Sequence, residues 1–190
     1  MKILVACEFS GIVREAFKAR GHDAWSCDLL PTEIPGNHIQ GDVLEILNDG
    51  WDLMIAHPPC TFICRNRARQ NKLEDRQEDI NNAIKFFLML HGANISKICL
   101  ENPIPAKNEW IPQYSQIIQP WYFGHDYSKK TCLWLKNLPP LIATQMVQIT
   151  HIITPGGHKY TSGWYKMPRT TIARSRTFPG IARAMAEQWG

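Results

Sequence analysis

Short apolar runs that alternate with helical patterns constrain the fold of this chain more than any other feature. Apolar runs cover residues 2–7, 23–28, 52–56 and 96–100. Apolar residues at helical spacing recur in three further segments, which are residues 10–21, 75–91 and 180–189. Strands that alternate with helices along a chain build a mainly parallel sheet with helices on both faces. The sequence therefore predicts an α/β fold with a doubly wound, mainly parallel sheet.

The length of the chain limits the number of domains. Its 190 residues, 44% of them hydrophobic, suffice for one sizeable core and are too few for two. The longest apolar run falls short of the roughly 20 residues of a membrane span, and the N-terminal run lacks the pattern of a signal peptide. We therefore expect a single domain over residues 1–190, cytoplasmic and without a membrane partner. The formal net charge of +4 permits nucleic-acid binding but does not require it.

Shorter patterns fill the rest of the chain. Residues 43–48 and 114–119 are predicted to form short helices, and 121–123 and 131–135 a hairpin of two strands. Residues 155–170 are rich in Gly, Pro and basic side chains.

Residues suited to ligand binding follow the predicted strands. The first strand leads into Phe9-Ser10-Gly11, where a turn of small residues lets backbone N–H groups approach a ligand at a helix N-terminus. The alternative is simple helix capping by Ser10. Asp28 ends the second strand, where an acid holds ribose hydroxyls, and Asp42 is placed to accept from an adenine amino group. Each acid alone is equally typical of a turn, but together they predict an adenosine-containing cofactor.

Cys60 follows two prolines just beyond another predicted strand. Pro58 and Pro59 make this turn rigid, and a rigid turn gives a nucleophile a fixed attack geometry. One alternative is a reduced structural thiol. Another is a metal site of His57, Cys60 and Cys64, which lacks a fourth ligand at convincing spacing. We predict a nucleophile and no metal.

Glu101 and Asn102 follow the next predicted strand, beside the Cys60 turn. A desolvated carboxyl group at this position would stay protonated and donate a hydrogen bond to a ring nitrogen. The alternatives are a surface turn and a helix cap.

A basic segment follows Cys60 directly. Its cations are Arg65, Arg67, Arg69 and Lys72. Such side chains neutralise backbone phosphates near a flipped base. The alternative is a solvated loop that balances the acidic residues just downstream.

These elements, in this order, resemble the DNA cytosine-5 methyltransferase family over roughly residues 1–103. The specific part is Pro-Pro-Cys after one strand together with Glu-Asn after the next, and Phe-Ser-Gly supports it. The resemblance implies a Rossmann-like, S-adenosylmethionine-dependent methyltransferase fold with DNA as substrate. It implies that Cys60 attacks carbon 6 of cytosine. It also implies that Glu101, the glutamate of the Glu-Asn motif with Asn102, contacts ring N3 and helps to activate the base. The cofactor contacts that it implies are Phe9, Ser10, Gly11, Asp28, Asp42, Pro58 and Pro59.

The sequence departs from the family pattern at several places. Thr61 stands where the family has Gln, and Pro103 where it has Val. Only Lys129 and Lys130 preserve the basic character of a later Gln-x-Arg-x-Arg motif, and we predict that they bind nucleic acid. Residues 136–175 are too few for the family's target-recognition domain. We therefore expect sequence-specific DNA binding only if a protein partner or a homo-oligomer supplies target recognition. A short chain of this kind is typical of a phage or mobile-element enzyme.

Two further alternatives remain from the sequence. A free pyrimidine nucleotide or RNA would be the substrate if target recognition is absent. A catalytically inactive module that binds cofactor or nucleic acid would explain the altered residues after Cys60 and Asn102. A last cofactor-side motif is expected at residues 175–182.

Overall fold

A computed structural model of the protein describes residues 1–65, 68, 76–107, 109–168 and 170–190. Its centre is a seven-stranded sheet. In chain order these strands are β1 (Lys2–Ala6), β2 (Asp23–Asp28), β3 (His38–Gln40), β4 (Leu53–Ala56), β5 (Lys97–Pro103), β6 (Gln116–Ile118) and β7 (Thr131–Lys136). The described helices are α1 (Ile12–Lys18), α2 (Gln77–His91), α3 (Ser162–Lys166), α4 (Thr171–Ser175) and α5 (Pro179–Trp189). A separate hairpin pairs β8 (His151–Ile153) with β9 (Lys159–Thr161).

The strand order is β3-β2-β1-β4-β5-β7-β6. Strands β3, β2, β1, β4 and β5 run parallel, and β7 is antiparallel to both of its neighbours. The predicted α/β fold with a mainly parallel sheet is therefore confirmed. The order reverses between β1 and β4, because the chain builds outward to β2 and β3 before it returns. Open α/β sheets bind ligands beyond the carboxyl ends of the strands at such a switch point.

Burial on both faces explains why the central strands are continuous apolar runs. In β1, Ile3 and Val5 pack in one core layer with Phe17 of α1 and Met185 of α5. Leu4 and its alternate neighbours face the opposite layer, which α2 covers. The predicted helix over residues 75–91 is thus observed as α2, and the predicted last helix as α5.

Two of the shorter predictions were wrong. Residues 114–119 contain strand β6 rather than a helix, and 121–123 form part of a 3₁₀ turn rather than a strand. The small helix predicted over 43–48 is observed as a shorter 3₁₀ helix, Val43–Glu45. Residues 155–170 include β9 and α3. Each element is short and depends on long-range pairing or packing, which local patterns do not show.

The described helices were also compared with the requirements of a membrane span. None of those within the described ranges is both long enough and apolar enough to cross a bilayer.

Candidate functional site

Two adjoining cavities open beyond the carboxyl ends of β1, β2 and β4. The first has a volume of about 300 Å³ and is largely apolar, with walls that include Cys27, Leu29, Val43 and Phe86. The second has a volume of about 210 Å³ and is more polar. Its walls include Glu8, Phe9, Ser10, His57, Ser175, Arg176 and Thr177. Three residues line both cavities, namely Cys7, Asp28 and Pro59.

Glu8 caps α1, which the sequence analysis did not predict. Its carboxylate accepts hydrogen bonds from the backbone N–H groups of Val13, at 2.7 Å, and Arg14, at 3.2 Å. Gly11 occupies the N-cap position with a φ of 73°. Ser10, the predicted cap, accepts from the Ile12 N–H at 3.3 Å and donates to Glu8 at 3.1 Å. A carboxylate at a helix N-terminus is stabilised by the free N–H groups and the helix dipole. Glu8 therefore holds the Phe9-Ser10-Gly11 turn against the polar cavity.

Arg14 fixes the loop that forms the outer wall of both cavities. Its side chain is fully buried and donates to Ser26 Oγ at 3.0 Å and to the Ile34 carbonyl. Gly36 packs on the guanidinium, since a Cβ there would lie 2.9 Å from Nη2. A buried guanidinium must be fully hydrogen-bonded, so these contacts select one conformation for residues 29–37.

The two predicted acids lie at the apolar cavity. Asp28 accepts from the Leu30 N–H at 2.9 Å and stands at the boundary between the cavities. Asp42 is exposed and accepts from the Leu44 N–H at 2.9 Å, which begins the 3₁₀ turn. Cys7 lines both cavities. Burial and the charges of Asp28 and Asp42 raise the pKa of its thiol to about 12.

The turn that presents Cys60 is tied down on both sides. His57 donates its backbone N–H to the Ala6 carbonyl at 2.9 Å, and Asn102 Nδ2 donates to the Pro58 carbonyl at 2.7 Å. Asn102 is 2% exposed, and its Oδ1 has no hydrogen-bond partner among the described residues. The Cys60 carbonyl accepts from the Cys64 N–H at 3.0 Å and so begins a helical turn. Asn102 therefore holds the turn that carries Cys60.

The Cys60 thiol is protonated in the ligand-free protein. A hydrogen bond with the Cys64 thiol and burial raise its pKa well above the ordinary value. The carboxylate of Glu101 raises this pKa further, whereas the positive charge of Lys129 lowers it. A thiolate is the reactive form, so Lys129 is the described group that favours reaction. Within the described ranges no cluster of three His, Cys, Asp or Glu residues could hold a metal ion.

The pKa of Glu101 lies below the usual carboxyl value, whereas the sequence analysis expected a protonated carboxyl group. Its Oε2 lies 3.0 Å from His57 Nδ1. Burial acts to raise the pKa of Glu101, but hydrogen bonds from His57 and Thr131 and the charge of Lys129 hold it below the usual value. His57 Nε2 is buried without a partner among the described residues. Glu101 and Asn102 also lie within the last residues of β5, not beyond it.

A third, basic cavity of about 370 Å³ lies beside this pair. Its cations are Arg65, Lys129, Lys130 and Arg174, and Trp164 forms part of the wall. The Lys129 ammonium donates to the Arg174 carbonyl at 3.2 Å, and Arg174 lies over the Trp164 ring at 5.2 Å. The sequence analysis missed Arg174, although it falls in a segment with Arg169 and Arg176. Three predicted cations, Arg67, Arg69 and Lys72, lie outside the described residues.

The structure thus brings most of the predicted site residues to one edge of the sheet. Cys60, Glu101 and Asn102 stand together, between the basic cavity and the polar cavity with Asp28. The structure also adds three residues that the sequence analysis did not place in the site, namely Glu8, Arg14 and Arg174. Arg176 falls in the segment 175–182, where a cofactor-side motif was expected, and it lines the polar cavity.

Comparison with known proteins supports the fold. No protein-family model matches the chain, and no curated protein sequence does. Among solved structures, 47 chains match. One is a prophage-encoded protein of Escherichia coli classed as a DNA modification methyltransferase, with 13% identity and a TM-score of 0.50. The match covers 78% of this chain and 52% of that protein, so the chain spans about half of its length. The Rossmann-like methyltransferase fold is therefore confirmed.

Proposed function

We propose that this protein is an S-adenosylmethionine-dependent methyltransferase that modifies carbon 5 of cytosine in DNA, with Cys60 as nucleophile. One observation carries this proposal. Cys60 follows β4, and Glu101 lies near the end of the adjacent β5. Pro59, just before Cys60, lines both parts of the divided cavity, and Arg65, just after it, lines the basic cavity. A cofactor and a nucleotide would therefore meet at these two side chains.

The residues of the divided cavity fit this cofactor. The apolar part suits a purine ring, and the polar part suits a charged amino-acid group. Asp28 stands where the two parts join, which is where the ribose between those groups would present its hydroxyls. When bound there, S-adenosylmethionine supplies the methyl group.

Cys60 and Glu101 act on the base. Cys60 loses its thiol proton to solvent, and its sulfur adds to carbon 6 while Glu101 donates a proton to N3, so that carbon 5 becomes nucleophilic. Glu101 takes that proton from solvent as the base binds, and His57 Nδ1, 3.0 Å from Oε2, holds the carboxyl group in place. Once carbon 5 is methylated, its proton leaves to solvent and the bond from carbon 6 to sulfur breaks. The N3 proton returns through Glu101 to solvent, and Cys60 is restored.

The basic cavity supports DNA as the substrate. Arg65, Lys129, Lys130 and Arg174 would neutralise phosphates on either side of a nucleotide turned out of its stack. A protein partner or second copy that supplies target recognition stays a prediction, as does a phage origin.

The test is a covalent trap. Purified protein is mixed with S-adenosylmethionine and an oligonucleotide that contains 5-fluorocytosine, and intact mass is measured. Fluorine cannot leave as a proton does, so a working enzyme stays attached to the base. We expect a protein–DNA adduct with the native chain and none with Cys60→Ser. No adduct on any DNA, while cofactor binding persists, would contradict the proposal.

A second candidate substrate is a free pyrimidine nucleotide or RNA. The volume of the basic cavity, about 370 Å³, is in the range that holds small ligands, and this favours a nucleotide. Methyl transfer to DNA, RNA and nucleotide should be compared at rising salt. A steep loss of binding with salt indicates a polymer, because it reflects released counterions. Cofactor binding without transfer to any of them would indicate the inactive module.

A further inference from the structure

A short extended segment closes the polar cavity on the side of the last helix. Ser175 is the last residue of α4, and Arg176 and Thr177 follow it toward α5. All three line that cavity. Arg176 and Thr177 also line a smaller cavity with Glu101 and Lys129. Arg176 therefore stands between the proposed cofactor cavity and the proposed base site.

Arg176 is paired with Glu33, a residue of the outer loop. Its Nε donates to Glu33 Oε2 at 2.8 Å, and its Nη2 donates to the other carboxylate oxygen. The backbone N–H of Glu33 is bound to the Phe9 carbonyl at 2.9 Å, so the pair connects the two sides of the cavity. Both side chains are more than one-third exposed, 38% for Arg176 and 36% for Glu33. An exposed pair of this kind is weak, so another carboxylate can replace Glu33.

The charges of the polar cavity are unequal. Among the described residues that line it, Arg176 carries the only permanent positive charge, whereas Asp28 and Glu8 are acids. The Glu8 carboxylate is already bound to the N-terminus of α1. A ligand with a carboxylate end therefore finds one strong partner here. Arginine binds carboxylates through two parallel hydrogen bonds, which is the geometry that it already makes with Glu33.

We propose that Arg176 binds the α-carboxylate of the cofactor's amino-acid part, and that Glu33 occupies the guanidinium until the cofactor arrives. This inference rests on the proposed cofactor. It makes Arg176 a specificity residue, which selects adenosyl compounds that retain a carboxylate. The exchange leaves the segment at 175–177 attached to the ligand instead of to the outer loop.

Calorimetric binding of two ligands tests this assignment without any measurement of activity. S-Adenosylhomocysteine carries the carboxylate, and 5′-methylthioadenosine lacks the whole amino-acid group. We expect Arg176→Ala to weaken S-adenosylhomocysteine binding about 10- to 100-fold, the worth of charge-assisted hydrogen bonds. The affinity of Arg176→Ala for 5′-methylthioadenosine should stay within about twofold of the native value. Arg176→Lys keeps the positive charge but cannot make two parallel hydrogen bonds to a carboxylate. Its affinity for S-adenosylhomocysteine should lie between those of Arg176→Ala and the native chain.

Glu33→Gln is the matched variant, because it frees Arg176 and leaves it in place. We expect it to bind S-adenosylhomocysteine about two- to fivefold more tightly than the native chain, since the competing carboxylate is gone. A purely structural ion pair predicts the opposite, namely weaker binding of both ligands in both variants. Thermal unfolding shows whether each variant is folded. If the Arg176 variants do not fold, the affinity of Glu33→Gln for S-adenosylhomocysteine still distinguishes the carboxylate exchange from a purely structural ion pair.

The binding measurements distinguish failure of this inference from failure of the proposed cofactor. Equal effects of Arg176→Ala on the two ligands, or no effect on either, overturn the assignment of Arg176 while the proposed cofactor stands. Weaker S-adenosylhomocysteine binding by Glu33→Gln overturns the exchange with Glu33. If the native chain binds neither ligand, the proposed cofactor fails and this inference fails with it.

Discussion

The hydrogen bond from Asn102 to the Pro58 carbonyl offers a direct test of how the Cys60 turn is held. Asn102→Ala removes a buried donor at 2.7 Å from that carbonyl and leaves the carbonyl oxygen without its partner. A lost bond of this kind, with one buried partner left unsatisfied, costs about 1–3 kcal/mol. Because the Asn102 Oδ1 is itself unpartnered among the described residues, its removal offsets part of this cost. We expect a loss of about 1–2 kcal/mol in the free energy of unfolding.

That loss corresponds to a fall in Tm of roughly 2–8 °C for a chain of this size. The rate of methyl transfer by Asn102→Ala should fall by more than its loss of stability alone would cause. A misplacement of about 1 Å at a reacting group can lower the rate about 100-fold. We therefore expect Asn102→Ala to lower kcat on DNA by about that factor, measured by methyl transfer below the unfolding range, with cofactor affinity nearly unchanged.

Gln116→Ala is the matched control for this prediction. Gln116 Nε2 also donates to a backbone carbonyl, that of Leu141, at 2.8 Å, but it lies on the edge strand β6. The control should lose comparable stability and keep its methyl transfer rate. Asn102→Asp, which keeps the shape of the side chain but loses the donor, should behave like Asn102→Ala or worse. If Asn102→Ala retained the activity of the control, the claim that Asn102 positions the nucleophile would be refuted.

Three further changes test the electrostatics and the packing. Glu101→Gln should destabilise the fold by about 1–3 kcal/mol near neutral pH. Since the pKa of Glu101 is held below its usual value, this difference should be present above the ordinary carboxyl range and vanish as pH falls, and denaturation at several pH values measures it. Lys129→Met should shift the pH–rate profile to higher pH, because Lys129 lowers the pKa of Cys60, and an unmoved profile would contradict this role. Gly180→Ala places a Cβ 1.9 Å from the Phe123 carbonyl oxygen and should cost about 1–3 kcal/mol in chemical denaturation, whereas a stable variant would show that α5 can shift.

The central sheet could be predicted from the sequence because its strands are buried on both faces. Continuous apolar runs such as Leu53–Ala56 are typical of such strands, and the reactive residues follow them directly. Position after a strand is enough to bring Asp28, Cys60 and Glu101 to one edge of a parallel sheet. The order of elements therefore predicted both the fold and the neighbourhood of the site.

The rest depends on contacts between residues far apart in the chain. Strand β6 exists because Gln116 to Ile118 pair with β7, and three residues carry too little pattern to show this. The charge state of Glu101 depends on His57, which is 44 positions away in sequence. Arg176 and Glu33 are separated by 143 positions in sequence, so a local motif cannot predict that they form a pair. Local patterns predict where a side chain is placed, whereas its partners follow from the folded structure.

The reversed direction of β7 affects how freely the chain between the last strands can vary. Because β7 runs against β5, the residues that enter β7 lie beside those that leave β5, and Pro103 and Asn102 pair with Thr131 and Cys132. The separation of Lys129 from Glu101 is therefore set by this register and not by the number of intervening residues. Insertions or deletions between these strands can reshape the outer surface, and with it the choice of target, while the spacing of the reacting groups stays constant.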